Sequence, residues 1–395
     1  MLRKLTVENF FSIREAQTLD LTIARNAPDP DGRFATPIEG TGARFPKVVA
    51  LFGANASGKT TVLRAVNFLV QFIRNSFDWE PNSPLPFLSF QSPDCIDAPT
   101  RFRVEFDAWV REGHSGRVLY VYELEIAAGG KSVLVETLKY YPEGRRRWLF
   151  RRDASGISAG KDFDLPNNDP VRTKIRKNVS VISVLAKFNH DFSLALFHNL
   201  SGVYSNVALF GEPVKAGEDF TTKWYARTED ALKALNKEIR RFDLGIEEVV
   251  LSPTVNGVRP YFVHAGLEGP LAYEFESQGT TRFYNMFPYL FHVLSRGGLA
   301  VMDEFDNDIH ALLMPELINL FQSRETNPND GQILMSCHNP SVLECLSKEE
   351  IYFTEKDSRG RTEIYGLKDV QDVRRDANLY AKYLSGVFGA VPRIG

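Results

Sequence analysis

The sequence predicts an α/β protein, and three observations carry that prediction. An apolar run over residues 47–52 leads through a glycine loop into a segment with apolar residues at Val62, Leu63, Val66, Leu69 and Val70. That order reads as a buried strand, a loop and an amphipathic helix. Two more apolar runs, residues 299–302 and 333–336, have the length of fully buried strands. Between residues 100 and 150 the apolar period becomes two, broken at Gly113, Gly116 and Gly129-Gly130, as in an antiparallel meander.

The glycine loop carries the most specific chemistry. Gly53-Ala54-Asn55-Ala56-Ser57-Gly58-Lys59-Thr60 matches G-x-x-x-x-G-K-[ST] at every fixed position. Gly53 and Gly58 allow backbone paths that a side chain would block. The N–H groups of such a loop and of the following helix start face phosphate oxygens. Gly53, Asn55, Ala56, Ser57, Gly58, Lys59, Thr60 and Thr61 are thus the candidate phosphate cradle. Lys59 offers a full charge to the β- and γ-phosphates, and Thr60 a hydroxyl to Mg²⁺.

The rest of the chain frames this unit. Two short strands precede the loop, around residues 5–13 and 19–23, and residues 26–43 read as a Pro-, Gly- and Asp-rich loop. Residues 79–99 carry prolines without a period. Residues 153–169 are polar and Gly-rich, a surface excursion, and 171–200 read as helices broken near Asn189. An amphipathic helix is expected over 228–241, strands over 258–262 and 271–275, and helices over 277–294, 311–322 and 341–346. Strands over 351–353 and 362–365 close the sheet. Formal charge is −3, from 47 basic and 50 acidic residues, so overall charge points to no partner class. Cys95, Cys337 and Cys345 lack metal-ligand spacing and suggest a reducing, cytoplasmic setting. The start is a charged amphipathic strand, and no run is long enough to span a membrane.

A second set of residues follows downstream. The apolar run 299–302 ends in Asp303-Glu304, with Asp303 placed to hold Mg²⁺ and Glu304 to orient or deprotonate the attacking water. The run 333–336 ends near His338, a candidate contact for the γ-phosphate or that water. Ser277 is a plausible helix N-cap, and Gly279 leaves the backbone open there.

In this order, Gly53–Thr60, Ser277-Gln278-Gly279-Thr280, Asp303-Glu304 and His338 resemble an ATP-binding-cassette-type ATPase of the structural-maintenance-of-chromosomes/RecF branch. Asn55 and the opening Asn9-Phe10-Phe11-Ser12-Ile13 are similar to that branch. Asp303-Glu304-Phe305-Asp306-Asn307-Asp308-Ile309-His310 resembles the corresponding stretch of small AAA-type proteins of prokaryotic defence and abortive-infection operons, as does the tail at 384–392. The resemblance implies an ATPase head with a mixed, largely parallel core sheet, an antiparallel meander and a helical insertion. It implies an N-terminal lobe over residues 1–150, an insertion over 151–250 and a C-terminal lobe over 251–395. Carried over, Ser277 and Gly279 match the signature motif that contacts ATP held by an opposite subunit, Asp306 the aspartate at the dimer seam, and His338 the switch histidine. Gln91 is the candidate for the glutamine loop, and Cys337 stands where threonine is common.

The implied function is an ATP- and Mg²⁺-dependent switch or sensor. It would work as a homodimer or higher oligomer and control a separately encoded effector, a nuclease or toxin, in anti-phage defence. The alternative is a DNA repair or recombination ATPase clamping duplex DNA. Nucleic acid enters through basic clusters: Arg145-Arg146-Arg147, Arg151-Arg152, Arg172, Lys174, Arg176-Lys177, and Lys233, Lys237, Arg240-Arg241. The other reading of these clusters is a solvated surface.

Overall fold

β1 (Leu2–Glu8) and β2 (Gln17–Asp20) pair antiparallel at the start of the chain, with Leu5 opposite Leu19. The structure is a computed structural model that describes every residue except 30, 39, 110–115, 212–216, 243–244, 256, 376 and 392–395. Gly113, expected in a turn, and the last residue of the tail motif, Pro392, lie outside the described residues. A brief pairing of β3 (Phe34–Ala35) with β4 (Phe45–Pro46) falls at the end of the first loop. β5 (Val48–Phe52) is buried at every position, and α1 (Lys59–Asn75) starts directly after the glycine loop. One helical turn, α2 (Pro93–Ile96), sits in the proline-containing stretch.

The meander is present: β6 (Thr100–Trp109), β7 (Arg117–Ile126), β8 (Val133–Tyr140) and β9 (Arg147–Asp153) pair antiparallel in succession. Residues 153–169 correct an expectation. They are not a surface excursion, because they supply β10 (Gly156–Ala159) and bury Ile157, Phe163 and Leu165. A polar majority had masked three apolar anchors spaced too widely to show a period. The resulting seven-stranded sheet has the order β10-β9-β8-β7-β6-β1-β2.

Helices α3 (Val171–Lys174), α4 (Val181–Lys187) and α5 (Asp191–Leu200) follow, with α4 and α5 separated at Asn189, whose φ of 57° is left-handed. β11 (Val203–Ser205) then joins the central sheet, so residues 151–250 provide more than helices. After α6 (Glu218–Arg227), α7 (Glu229–Arg241) buries Leu235 and Ile239 on one face, as its apolar spacing requires. β12 (Ile246–Thr254) was not expected, since Glu247, Glu248 and Pro253 dilute its alternation. It pairs with β13 (Gly257–His264), which pairs with β14 (Leu271–Ala272). The strand expected to reach residue 275 gives way to a 3₁₀ turn over Tyr273–Phe275.

The C-terminal part holds α8 (Gln278–Arg296), β15 (Leu299–Met302), α9 (Met314–Gln322), β16 (Gln332–Ser336), β17 (Ile351–Lys356), β18 (Thr362–Gly366) and α10 (Leu379–Leu384). The helix expected over 341–346 is a 3₁₀ segment, Pro340–Cys345. The central sheet runs β11-β15-β16-β5-β17-β18, parallel except for the last pair. Its side chains alternate between two cores. Val49, Leu51, Val301 and Leu334 pack toward α1 and the seven-stranded sheet. Val48, Ala50, Phe52, Ala300, Met302 and Met335 pack toward α8 and α9. Burial on both faces explains why these strands read as unbroken apolar runs. Because β15, β16 and β5 are adjacent and parallel, their C-terminal ends bring Asp303, His338 and Gly53 to one edge, where open α/β sheets bind ligands. Among the described residues, no helix is long and apolar enough to cross a membrane.

Candidate nucleotide site

The glycine loop is held in shape by its neighbours. At Gly53 (φ 153°) a Cβ would lie 2.3 Å from the Thr354 carbonyl oxygen, and at Gly58 (φ 115°) 2.3 Å from Thr362 Oγ1. No side chain fits at either position, so these glycines are sterically required. Ala56 adopts a left-handed φ of 62° between them. Thr362 donates to the Ser57 carbonyl (2.9 Å), and Ser57 and Thr354 share a hydroxyl contact of 2.6 Å. Ser12, from the opening motif, meets Thr61 at 3.0 Å and so ties β1's exit to the start of α1. Lys59 is buried, and its ammonium donates to the carbonyls of Gly53 (2.8 Å) and Ala54 (3.1 Å). Burial lowers its pKa, opposed by the charges of Asp303 and Asp306.

Asp303 follows the last residue of β15, beside this loop. Its Oδ2 accepts the Thr60 hydroxyl at 2.8 Å, and its Oδ1 accepts the Ser336 hydroxyl at 2.5 Å. The Asn206 amide grips its backbone on both sides, at 2.7 and 2.9 Å. Glu304 has a left-handed φ of 50°, uncommon for a residue with a side chain. Its N–H donates to Ser336 Oγ (2.8 Å), and its carbonyl accepts from Arg282 Nη2 (3.2 Å). These two bonds hold the backbone at a turn that local preference disfavours.

Asp306 Oδ2 accepts the N–H groups of His338 (2.7 Å) and Asn339 (2.5 Å), so the aspartate pins the segment that carries the histidine. Its Oδ1 is buried and has no partner among the described residues. Asn55 through Thr61, Glu304, Asp306 and the exposed His338 line one cleft of about 1210 Å³, and Gln91 sits on the same wall, donating to the Ser89 carbonyl at 2.7 Å. Ser277 and Gly279 do not line it. Ser277 caps α8 by accepting from Thr280 N–H (3.1 Å), and Gly279 packs so closely on the Asp308 carbonyl that a Cβ would be 2.9 Å away. Both face a separate recess shared with His310 and Leu313.

Thr60 and Asp303 present hard oxygen donors within 2.8 Å of each other. Among the described residues no cluster of three or more His, Cys, Asp or Glu forms a metal cage. Mg²⁺ keeps waters and takes phosphate oxygens, so a hydroxyl–carboxylate pair beside a phosphate cradle fits it. Ser336, Asn206 and Arg282 were missed by sequence reasoning. A polar residue closing the apolar run of β16 was the only signal for Ser336, and Asn206 gave none.

Many of the basic residues serve the fold. Arg152 is buried and donates to the carbonyls of Val179 (2.5 Å) and Arg176 (2.7 Å). Arg172 binds those of Pro166, Ile157 and Leu165, and Arg176 that of Phe77. Arg147, Arg151, Lys233 and Arg241 pair with Asp162, Asp153, Glu229 and Glu316.

A parallel sheet whose strand ends carry a glycine loop, an acidic pair and a histidine, flanked by an antiparallel lobe, has the fold of an ABC/SMC-type head domain. Residues 48–344 match the family described as "AAA domain, putative AbiEii toxin, Type IV TA system", and the chain belongs to that family. A crystal structure of an SMC head bound to the C-winged helix domain of ScpA is similar with a TM-score of 0.50 and 12% identity, over 92% of this chain and 97% of that one. The SMC head domain from Thermotoga maritima is similar with a TM-score of 0.41 and 13% identity, over 92% and 98%. No curated protein matches the sequence.

Proposed function

We propose that this protein binds and hydrolyses ATP and acts as a dimeric switch controlling a separately encoded nuclease or toxin in a prokaryotic anti-phage defence system. One observation carries the reading: Lys59, Thr60, Asp303, Glu304 and His338 converge on one cleft edge while Ser277 and Gly279 face elsewhere. Residues that line a recess separate from their own glycine loop are free to complete the site of a second copy.

In this reading the loop N–H groups cradle the phosphates, and Lys59 exchanges the carbonyls of Gly53 and Ala54 for phosphate oxygens. Thr60 and Asp303 hold Mg²⁺, which neutralises phosphate charge. Glu304 positions the attacking water and takes its proton, with its backbone fixed by Ser336 and Arg282. His338 reaches the γ-phosphate side, and Asp306 sets its position. The family match supports the defence setting. The DNA-clamp alternative gains little from the basic clusters, since Arg152, Arg172 and Arg176 are engaged inside the fold.

Glu304→Gln tests the reading. Binding of Mg-ATP is retained, turnover falls ~10²–10⁴-fold, and the dimer persists in ATP by mass measurement. Wild-type turnover in this variant would remove Glu304 from catalysis.

A further inference from the structure

A second cavity, of about 430 Å³, lies away from the nucleotide cleft, among β1, α1, β6, the end of α5, β11 and the junction of α8 with β15. None of the residues assigned to nucleotide chemistry lines it. Its floor is apolar: Leu5, Val66, Val70, Ile73, Val104 and Leu299 are buried around it. Its size falls in the range of sites that enclose small molecules.

The rim is cationic. Arg296, at the exposed end of α8, and Arg117, on β7, both border the cavity. Arg117 reaches the backbone next to Arg296, since a Cβ on Gly297 would lie 3.0 Å from Arg117 Nη2. Among the described residues neither guanidinium pairs with a carboxylate. Arg117 rests over the Trp109 ring at 5.8 Å and donates to the Asn329 carbonyl at 3.2 Å. The acid on the wall, Asp107, is already neutralised by Arg3 at 2.6 Å.

His292 also lines the cavity. The Trp224 indole N–H can only donate, and it meets His292 Nε2 at 3.1 Å. The neutral ring therefore carries its proton on Nδ1, and that buried nitrogen has no partner among the described residues. Burial, with the nearby charge of Arg296, lowers the pKa of His292. An apolar chamber whose lining includes two guanidinium groups that no described carboxylate pairs is complementary to an anion with an apolar body.

We propose that this cavity binds a small amphipathic carboxylate, its apolar body against α1 and β1 and its carboxylate between Arg117 and Arg296. The site reaches the nucleotide machinery through its walls. α1 begins at Lys59, β15 leads directly into Asp303, and β11 leads to Asn206, which grips Asp303. A ligand that favours one spacing of α1 and β15 biases the geometry of Thr60 and Asp303 at their other ends. This regulatory half rests on the nucleotide reading above; the binding half does not.

Decanoate is titrated into the full chain by calorimetry, with decyltrimethylammonium as the cationic control. Saturable one-to-one binding of decanoate is expected, at least tenfold tighter than the control and weakened at least tenfold by Arg296→Glu, an exposed substitution that leaves the floor intact. Lys59→Ala keeps full decanoate affinity, which separates failure of the cavity from failure of the nucleotide site. No saturable binding, equal binding of the cation, or indifference to Arg296→Glu overturns the site. Decanoate that binds without changing wild-type ATP turnover overturns the regulatory half.

Discussion

Replacing Ser336 by alanine probes the geometry beneath the acidic pair. Ser336 is fully buried at the end of β16, where its hydroxyl donates to Asp303 Oδ1 at 2.5 Å and accepts Glu304 N–H at 2.8 Å. Alanine leaves one carboxylate oxygen without its donor and one N–H without its acceptor. A hydrogen bond to a charged group contributes roughly 1.5–3 kcal/mol, and an orphaned buried polar group costs about 1–3 kcal/mol. Asp303 keeps the Thr60 hydroxyl on Oδ2, which limits the loss at the carboxylate. The expected destabilisation is about 3 kcal/mol in the nucleotide-free protein. Urea unfolding of wild type, Ser336→Ala, Asp303→Ala and the double variant gives the pairwise term directly. The coupling should be roughly 1.5–3 kcal/mol. ATP turnover of Ser336→Ala should fall as well, because Glu304 loses one of the two bonds that hold its left-handed backbone. A coupling below about 0.5 kcal/mol, the scatter of independent sites, would refute the reasoning.

Lys59→Ala removes the loop's full charge, so calorimetric ATP binding should collapse while circular dichroism stays native; unchanged affinity removes the phosphate assignment. Arg282→Met deletes the donor to the Glu304 carbonyl and should lower turnover about tenfold, equivalent to about 1.4 kcal/mol of barrier, at unchanged nucleotide affinity. Partial recovery in Arg282→Lys is expected, and parallel losses of affinity and turnover would count against a positioning role. Mixing Ser277→Arg chains with Lys59→Ala chains should recover roughly one competent site per dimer, since in the mixed dimer both lesions fall in one composite site and leave the other intact. A strictly monomeric ATP-bound protein in solution scattering rules that out.

What the sequence by itself determined is local in origin. The phosphate loop is legible because Gly53 and Gly58, through backbone geometry, and Lys59 and Thr60, through their side chains, act within eight contiguous residues. The buried strands are legible because β5, β15 and β16 are covered on both faces and so admit almost only apolar residues. Tertiary structure alone decided which strands stand side by side, and hence that Asp303 meets Thr60 across 243 positions of chain. It also decided that Ser336 and Asn206 brace Asp303, that Ser277 and Gly279 line a recess separate from the loop's cleft, and that Arg152 and Arg172 cap carbonyls inside the fold. Residues 153–169 show the same divide, since Phe163 looks incidental in a polar run until β10 folds it into the core. A side chain's hydrogen-bond partner or burial depends on segments that strand order brings together, and the spacing of residues along one segment carries no record of what the sheet lays against it.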